Sequence, residues 1–581
     1  MTVNETSLCG ELKSLIDSGN YIQAIDLIQD YPKLKNDSPL RKHYALALSR
    51  IGQTDQAVDV LDPLRKTAKS DPEVQIQYAG LMKRQWIHSG SKKSLMKAYK
   101  GYADAFNTHG DYWAGINAAT LARLMDDEHS TELADQVLGI CWEEYGRMGT
   151  RSSFWLLVTI AEAYLVKGEV DTALKWYSMI SPTAYKSIGQ VKTIRKNARL
   201  LGKALGEDAL QTLMDGIYIP RIAFFAGHRI DREGMPERFP QSESESVKRK
   251  LRAKLGKMRI SAGVASLADG ADILFHECLI ESGRQNRVIL PCPMEDFRAK
   301  LKEDDPGGWL ERFDNVIKNS TMVETVTRSV FTKEWDVVHE LATDYMLGYS
   351  ISLANELDGE MIPIVVWDEK TRNRSGGTYS AVQKLRKLGY EPEIITVFQR
   401  MNTNESSYDP DDALMSSDLL PTRNIIIVVG IGRDFRVDDK IADELSTLAR
   451  DIESTLSSKK PYPVKRSLNG KEICLQFRDI VQAMDFTRSF SAMHPEASMA
   501  LHAGLSVKFD VSMSQTTDTF SPALLEAVDL SKKLVSGQLF ATTAFQSLAC
   551  LEAECPFSFD YRGKFTTEEA LLRVFEVGLT T

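Results

Sequence analysis

The spacing of apolar residues changes near residue 220, and this change constrains the fold more than any other feature of the chain. Over residues 11–216 the apolar side chains recur at helical spacing, and strand-like alternation is almost absent. After Arg221, short apolar runs alternate with amphipathic stretches, which is typical of a parallel sheet covered by helices. A chain of 581 residues has room for about three or four domains. We therefore expect a multidomain protein in which an all-α region precedes α/β and α+β regions.

A glycine followed five residues later by an alanine recurs in the helical region. The pairs Gly19/Ala24 and Gly52/Ala57 are offset by 33 residues, close to the period of about 34 of tetratricopeptide repeats. A third pair, at positions 168 and 173, lies 116 residues after the second, so irregular helix pairs must intervene. We predict a degenerate tetratricopeptide-like solenoid over residues 1–216. Such solenoids offer extended concave surfaces, so a protein partner is expected here.

Composition excludes several classes of protein. The net charge is −9, and residues 401–581 alone carry 18 basic and 26 acidic side chains, so no basic stripe suits a nucleic-acid duplex. No apolar run is long enough to span a membrane, and the amino terminus lacks a signal-peptide pattern, so a cytoplasmic location is expected. The seven cysteines form no C-x-x-C pair, which predicts reduced thiols and no cysteine-bound metal.

Three predicted strands between residues 217 and 400 end in loops that suit a phosphate group. The carboxyl ends of parallel strands meet at one edge of a sheet, where such folds bind ligands. Glycines permit close backbone approach to a phosphate, a guanidinium binds its oxygens, and carboxylates can hold ribose hydroxyls. These loops follow predicted strands at 222–226, 258–264 and 361–368. The predicted nucleotide-binding residues are Gly227, His228, Arg229, Asp269, Gly270, Asp272, Gly376, Gly377 and Thr378.

Two other interpretations of this region remain open. Glycines after strands also serve as ordinary turn residues, and an aspartate in a first helical turn can simply cap the helix. Alternatively, His228, Asp272 and Glu277 could act as general acid and base in a nucleotide or NAD-type hydrolase. His276 adjoins Glu277 on the predicted helix and therefore points in a different direction, which argues against the two acting together.

The same residues carry a resemblance to a known superfamily. The segments FFAGHRID, SLADGADILFHECLIESG, VILPCPMEDF, PGGWLERF and IVVWDEK with SGGT resemble a SLOG-superfamily Rossmann-type domain over about 180 residues. The resemblance implies nucleotide binding and, in some members, nucleotide sensing. In the related phosphoribohydrolases a PGGxGTxxE motif carries catalysis, whereas Ala381 stands here at the position of that glutamate. Hydrolysis by that route is therefore not expected.

The flanking regions also resemble known modules. GDYWAGINAAT at 110–120 is similar to the TRAFs-binding region, a tetratricopeptide-like module of bacterial multidomain proteins, which implies a bacterial origin. Residues 423–581 resemble a class III nucleotidyl cyclase homology domain through IIIVVGIGRDF, SLNGKEICLQF and ASMALHAGLSV. Ile431 and Lys471 occupy the positions of the two magnesium-binding carboxylates, and neither side chain can ligate magnesium. The resemblance thus implies a catalytically inactive, dimerising cyclase-like domain without a metal.

Together these patterns predict a solenoid (1–216), a Rossmann-like nucleotide-binding domain (217–400), an acidic linker (401–422) and an inactive cyclase-like domain (423–581). We expect a signalling protein that forms homo-oligomers, binds a protein partner through the solenoid and senses a nucleotide-like small molecule. No cofactor is expected, apart from a bound nucleotide. The alternatives are the hydrolase described above and a scaffold that has lost its ligand.

Overall fold

In a computed structural model, the chain forms two compact units. The first comprises Met1–Pro220 with Glu356–Gly359, and the second comprises Arg221–Asn355 with Glu360–Thr581. The residues that the structure describes are 5–31, 38–67, 71–149, 153–184, 187–232, 237–303, 305, 307–328, 335–368, 377–398, 422–430, 441–457, 465–469, 472–511, 516–566 and 571–579. Gly376, Ile431, Lys471 and nearly all of the predicted acidic linker lie outside these ranges.

The first unit is helical, as predicted, and most of its helices pack against the next helix along the chain. Gly19, Gly52 and Gly168 adopt left-handed backbone conformations (φ of 81°, 95° and 84°) in the turns between helices, which suits glycine. The alanines that follow them are fully buried where helix backbones approach. The helices are α1 (Glu5–Asp17), α2 (Tyr21–Gln29), α3 (Ser38–Arg50), α4 (Thr54–Thr67), α5 (Pro72–Ser89), α6 (Lys92–His109), α7 (Tyr112–Leu124), α8 (Ser130–Met148), α9 (Phe154–Val166), α10 (Val170–Ala184), α11 (Ile188–Leu205) and α12 (Glu207–Gly216).

The second unit begins with a six-stranded parallel sheet in the order β4-β3-β2-β1-β5-β6. Its strands are β1 (Arg221–Gly227), β2 (Ala262–Ala265), β3 (Gln285–Leu290), β4 (Met322–Thr325), β5 (Glu360–Val366) and β6 (Glu393–Ile395). The intervening helices are α13 (Ser244–Lys257), α14 (Ala271–Glu281), α15 (Met294–Glu303), α16 (Trp309–Lys318), α17 (Trp335–Glu356) and α18 (Thr378–Lys387). The alternation predicted from the sequence is therefore confirmed as a doubly wound α/β fold.

Close packing fixes helix α14 against the centre of this sheet. Phe275 stacks on Phe225 of β1, with ring centroids 4.3 Å apart and planes 5° apart. A Cβ atom at Gly263 of β2 would lie only 2.4 Å from the Phe275 ring, so glycine is required there. The amino-terminal end of α14 is thereby held over the carboxyl ends of the central strands.

A second, mixed sheet with its own helices follows, in agreement with the predicted α+β architecture. The strand order is β13-β14-β12-β10-β7-β9-β8, with β11 paired to β10. Among the strands that the structure describes here, β10 and β12 pair in parallel and the other pairs are antiparallel. The elements are β7 (Thr422–Gly430), α19 (Ile441–Ser457), β8 (Lys465–Asn469), β9 (Glu472–Phe477), α20 (Ile480–Met493), β10 (Ser498–Val511), β11 (Thr516–Phe520), α21 (Pro522–Ser531), β12 (Leu539–Thr542), α22 (Thr543–Ala549), β13 (Phe557–Thr566) and β14 (Leu571–Leu579).

One predicted strand begins later than the sequence suggested. Residues 258–261 were expected to open the second strand, but Met258 caps α13 and Arg259 adopts a left-handed conformation (φ 52°) in the following turn. The alternation of apolar and polar residues at 258–261 arises from a turn in which Ile260 is buried in the core. The predicted division of the second unit into two domains at an acidic linker stays a prediction.

No helix in the described part of the chain has both the length and the apolar composition needed to cross a membrane. All seven cysteines fall within the described ranges, and none is disulfide-bonded.

Candidate functional site

The parallel sheet reverses its direction of winding between β1 and β5. From β1 the chain adds β2, β3 and β4 on one side, and then returns to place β5 and β6 on the other. The carboxyl ends of β1 and β5 therefore flank the crevice in which open α/β sheets bind ligands. Of the predicted residues, His228 and Arg229 follow β1 directly, and Gly377 and Thr378 follow the loop after β5.

His228 pairs with Asp368 across this crevice. The His228 backbone N–H donates to the Val366 carbonyl (3.2 Å), which extends the pairing of β1 and β5 past the end of β1. The His228 Nε2 lies 3.1 Å from both the Oδ1 and the backbone N of Asp368. A proton on Nε2 can thus be donated to the carboxylate, whereas the unprotonated nitrogen can accept the backbone N–H. Asp368 was not among the predicted site residues.

The two predicted glycines at this edge are required by backbone packing. Gly270 has φ of 112°, and a Cβ there would lie 2.8 Å from the carbonyl oxygen of His228. A Cβ at Gly227 would lie 2.4 Å from that of Ala271, whose N–H donates to the His228 carbonyl at 3.0 Å. The two glycines allow the loop after β1 to pack closely against the start of α14. This packing alone accounts for glycine at both positions, without a role in phosphate binding.

Asp269 holds Arg229 in place. The Asp269 side chain is fully buried, and its Oδ1 accepts a hydrogen bond from the Arg229 Nε at 2.7 Å. Its Oδ2 lies 2.7 Å from the Arg232 Nη2. Both carboxylate oxygens therefore face arginines, and because the Asp269 side chain is fully buried, it is placed to hold these arginines rather than a ribose hydroxyl. The Arg229 side chain is 47% exposed, so the guanidinium is anchored at Nε while much of it faces solvent.

Asp272 is the candidate whose ionisation the fold perturbs most. It lies in the first turn of α14, is buried, and accepts a hydrogen bond from the Ala268 N–H at 3.2 Å. Burial raises its pKa from 3.8 to about 7, opposed by the hydrogen bonds from Ala268 and Gly227. A carboxyl group with a pKa near neutrality can exchange a proton at physiological pH.

The start of α18 is exposed to solvent. Gly377 is its N-cap residue, and no atom of the described residues lies within 4 Å of the position that a Cβ there would occupy. Thr378 behind it is buried. Helix α18 packs against β1 and β5, so its free end lies at the same edge as His228. Gly376 lies outside the described residues.

Two further candidates from the sequence do not face the crevice. His276 is fully buried, its Nε2 lies 3.1 Å from the Ser266 carbonyl oxygen, and burial lowers its pKa to about 4, so it is a neutral core residue. Glu277 accepts two hydrogen bonds from Arg312 and one from Lys248, all at 2.7 Å. These three bonds lower the pKa of Glu277 against the effect of burial. With both oxygens engaged by cations, Glu277 is not suited to proton transfer.

The crevice thus combines an anchored guanidinium, a histidine–carboxylate pair and a carboxyl group of raised pKa. These groups can bind a phosphorylated ligand and can also move protons. Within the described ranges, no cluster of three His, Cys, Asp or Glu side chains could hold a metal ion.

Comparison with protein families finds one match, in the first unit. Residues 20–122 match the family model described as Tetratricopeptide Repeats-Sensor, which covers less than a fifth of the chain. This match agrees with the repeats predicted from the sequence. None of the curated proteins matches the chain.

Solved structures of nucleotide cyclases are also similar to part of the chain. The adenylyl cyclase CyaB from P. aeruginosa is 9% identical, with 28% of this chain and 98% of that chain covered and a TM-score of 0.23. An adenylate cyclase from Trypanosoma brucei is 13% identical over 27% of this chain and 88% of its own, with a TM-score of 0.24. The guanylate cyclase domain of RhGC from Catenaria anguillulae, in complex with GTP, is 10% identical over 28% and 99%, also with a TM-score of 0.24. At this level of identity and TM-score, the similarity carries no inference about activity.

Proposed function

We propose that this chain is a signalling protein that senses a nucleotide or nucleotide-derived ligand at the crevice between β1 and β5. In this proposal the helical unit binds a protein partner, and the mixed sheet serves in the assembly of subunits without catalysis. The observation that carries the proposal is the position of Arg229, His228 and Gly377 at the one sheet edge where the winding direction reverses.

Arg229 has the central role in ligand recognition. A guanidinium held at Nε by the buried Asp269 keeps its orientation, so little conformational entropy is lost when a phosphate binds. The exposed start of α18 at Gly377 would supply backbone N–H groups to the same anion. Asp269 and Gly270 then act as positioning residues, and they need not touch the ligand.

The assembly role rests on sequence reasoning about the mixed sheet. Ile431 and Lys471, both outside the described residues, stand where the resemblance to cyclases requires carboxylates. Magnesium on the triphosphate cannot be replaced by an aliphatic side chain or an ammonium group. We therefore assign this region a regulatory and dimerising role.

Native mass spectrometry of the freshly purified full chain tests whether a nucleotide accompanies it. Calorimetric titration with ATP, ADP-ribose and NAD then tests the crevice. Arg229→Ala should weaken binding about 10- to 150-fold, the range for a charge-assisted hydrogen bond. Gly377→Asp should abolish binding through charge repulsion without a steric clash. Arg298→Ala, which removes an exposed arginine paired with Asp314, is the control. Less than a threefold change for Arg229→Ala would contradict the assignment.

A hydrolase is a second candidate, favoured by the pKa of about 7 at Asp272 and by the His228–Asp368 pair. In such an enzyme Asp272 or His228 would transfer protons to and from a nucleotide or NAD-type substrate. The same mass spectrometry experiment distinguishes the two functions. Incubated ATP, ADP-ribose and NAD remain intact if the protein is a sensor, and cleaved products that disappear in His228→Ala and Asp272→Asn identify a hydrolase.

A further inference from the structure

Two faces of the helical unit leave large apolar side chains in solvent. In the described part of this unit, the large apolar side chains that are exposed are Met96, Trp142, Met148 and Met179, with exposed fractions of 39% to 54%. Met96 lies on α6, and the other three lie on α8 and α10. Exposed apolar side chains that cluster mark an interaction surface, whereas scattered single ones are ordinary. The concentration of these residues on two faces therefore points to binding.

Aromatic rings form the centre of the first face. Trp142 and Tyr145 of α8 both contact Trp176 of α10, with ring centroids 5.3 and 5.4 Å apart. Trp142 and Trp176 are 34 residues apart, the period of tetratricopeptide repeats, so they occupy equivalent positions of successive repeats. We define the aromatic face as these three residues with Met148 and Met179. Trp, Tyr and Met are the residues enriched in the cores of protein interfaces.

The surroundings of the aromatic face are acidic. Residues 126–180 carry ten acidic and four basic side chains, whereas the rest of region 1–216 carries 16 acidic and 22 basic ones. Glu132 and Glu143 of α8 and Asp171 of α10 are exposed, and no cationic nitrogen of the described residues lies within 4 Å of their carboxylates. An apolar centre bordered by unpaired acids favours a partner that presents cations beside apolar groups.

The second face presents such groups on α6. Four exposed lysines surround Met96, and we define the lysine face as Met96 with Lys92, Lys93, Lys97 and Lys100. Among the described residues, no carboxylate oxygen lies within 4 Å of these four ammonium groups. Lysines near the amino end of a helix oppose its dipole, and like charges four residues apart repel each other. The lysines therefore do not stabilise α6, but they suit contact with an acidic surface.

We propose that the lysine face of one copy of this chain binds the aromatic face of a second copy. The lysine ammonium groups pair with the acids around the aromatic face and with its tryptophan rings, and Met96 packs on the apolar centre. Two faces of opposite charge, each with an apolar centre, give the complementarity of a specific interface. Each copy carries both faces, so it can contact two neighbours or one neighbour twice.

A second copy accounts for both faces at once. A basic segment of a different protein would explain the aromatic face and leave the lysine face without a role. An anionic membrane or a nucleic acid would explain the lysine face alone. Because the inference names a partner of the helical unit, it rests in that respect on the proposed function. It depends neither on a ligand in the crevice nor on assembly through the mixed sheet.

Sedimentation velocity of the full chain over a range of protein concentrations tests the contact. We expect wild type to associate as its concentration rises, and to associate less when the salt concentration is raised from about 0.05 M to about 0.5 M. Lys93→Glu with Lys97→Glu on the lysine face, or Glu143→Lys with Asp171→Lys beside the aromatic face, should each weaken association by about tenfold or more. Trp142→Ala should weaken it by a similar factor, because truncation of a central interface tryptophan is costly.

A mixture of the two charge-reversed variants is the decisive measurement. Each reversed face meets an oppositely charged face on the other variant, so the mixture should recover the association that each variant alone has lost. Recovery also shows that both variants are folded. Lys13→Glu with Lys203→Glu changes two exposed lysines of α1 and α11; it is the control with the same change of charge and should associate like wild type.

Two results would overturn the proposal. The first is wild type that sediments like the charge-reversed variants, and the second is a mixture that sediments as its two separate components. Assembly through the mixed sheet is read from the same data. Charge-reversed variants that still sediment as dimers agree with that assembly role, whereas monomeric variants contradict it and leave the present inference intact.

Discussion

Replacing Asp272 by asparagine should leave the stability of the protein equal to that of wild type at acidic pH. At neutral pH the variant should be more stable than wild type. The Asp272 side chain is only 7% exposed, and the fold raises its pKa from 3.8 to about 7, chiefly through burial. Asparagine is nearly isosteric and can still accept the Ala268 N–H, but it carries no charge at any pH. The substitution therefore removes the ionisation and keeps the packing.

The expected magnitude follows from the two pKa values. A raised pKa means that the folded state favours the protonated carboxyl, so the buried group costs no folding free energy below about pH 3.8, where it is protonated in both states. As the pH rises from 3.8 to about 7, the unfolded chain gains an increasing advantage from ionising the group. This destabilisation of the folded state is complete above about pH 7. A change from 3.8 to about 7 corresponds to at most about 4 kcal/mol. Asp272→Asn should thus equal wild type near pH 4 and exceed it by up to about 4 kcal/mol at pH 8.

Hydrogen exchange measured by mass spectrometry on peptides spanning β2 and α14 gives the local free energy of opening. Wild type and variant are compared at each pH between 5 and 8.5, so the pH dependence of intrinsic exchange cancels. Asp296→Asn, an exposed acid in the first turn of α15, is the matched control and should give a difference that does not vary with pH. A pH-independent difference for Asp272→Asn, or a variant less stable than wild type at pH 8, would refute the reasoning.

Three further outcomes are expected. Gly348→Ala should lower the melting temperature of the second unit, because the added Cβ would lie 1.8 Å from a carbonyl oxygen of α22. Overpacking of this kind costs about 1 to 3 kcal/mol. The control Gly256→Ala adds a Cβ with no described atom within 4 Å and should leave the melting temperature unchanged. Glu277→Gln should cost about 1 to 3 kcal/mol of stability in urea unfolding but leave nucleotide affinity unchanged, since its oxygens bind only cations of the fold. With Ile431 and Lys471 at the metal positions, the purified protein should form no cyclic nucleotide from any nucleoside triphosphate; a cyclic product that is absent from protein truncated at residue 422 would contradict this.

The strands and helices of the parallel sheet were largely predictable because local patterns determine them. The apolar run at 222–226 became β1, and the glycine before Ala271 marked the start of α14. The turn after α13 is not predictable in this way, because Arg259 takes a left-handed conformation that its residue type does not indicate. Burial and periodicity therefore predict the helices and strands wherever the two patterns agree.

The partners of the site residues were not predictable in the same way. Asp368 meets His228 only because β5 lies beside β1, and the two residues are 140 positions apart. Asp269 and Arg229 were both named as ligand contacts, yet they bind each other across 40 positions. In the helical unit, one cavity is lined by helices that begin as early as residue 38 and as late as residue 188. Such contacts depend on topology, which a single sequence does not encode in its spacing.

Helix α17 connects the candidate crevice to the mixed sheet. Its Asp344 accepts a hydrogen bond from Lys384 of α18, the helix that starts at the crevice. One turn further on, Gly348 packs directly against the backbone of α22, and Ser352 contacts Gln546 of that helix at 3.4 Å. A ligand can alter a distant element only through groups whose arrangement differs between two states. Since α17 contacts both α18 and α22, it is the element through which, under the proposed function, a displacement of α18 would reach the mixed sheet. This is the route that a sensor coupled to an assembly domain would require.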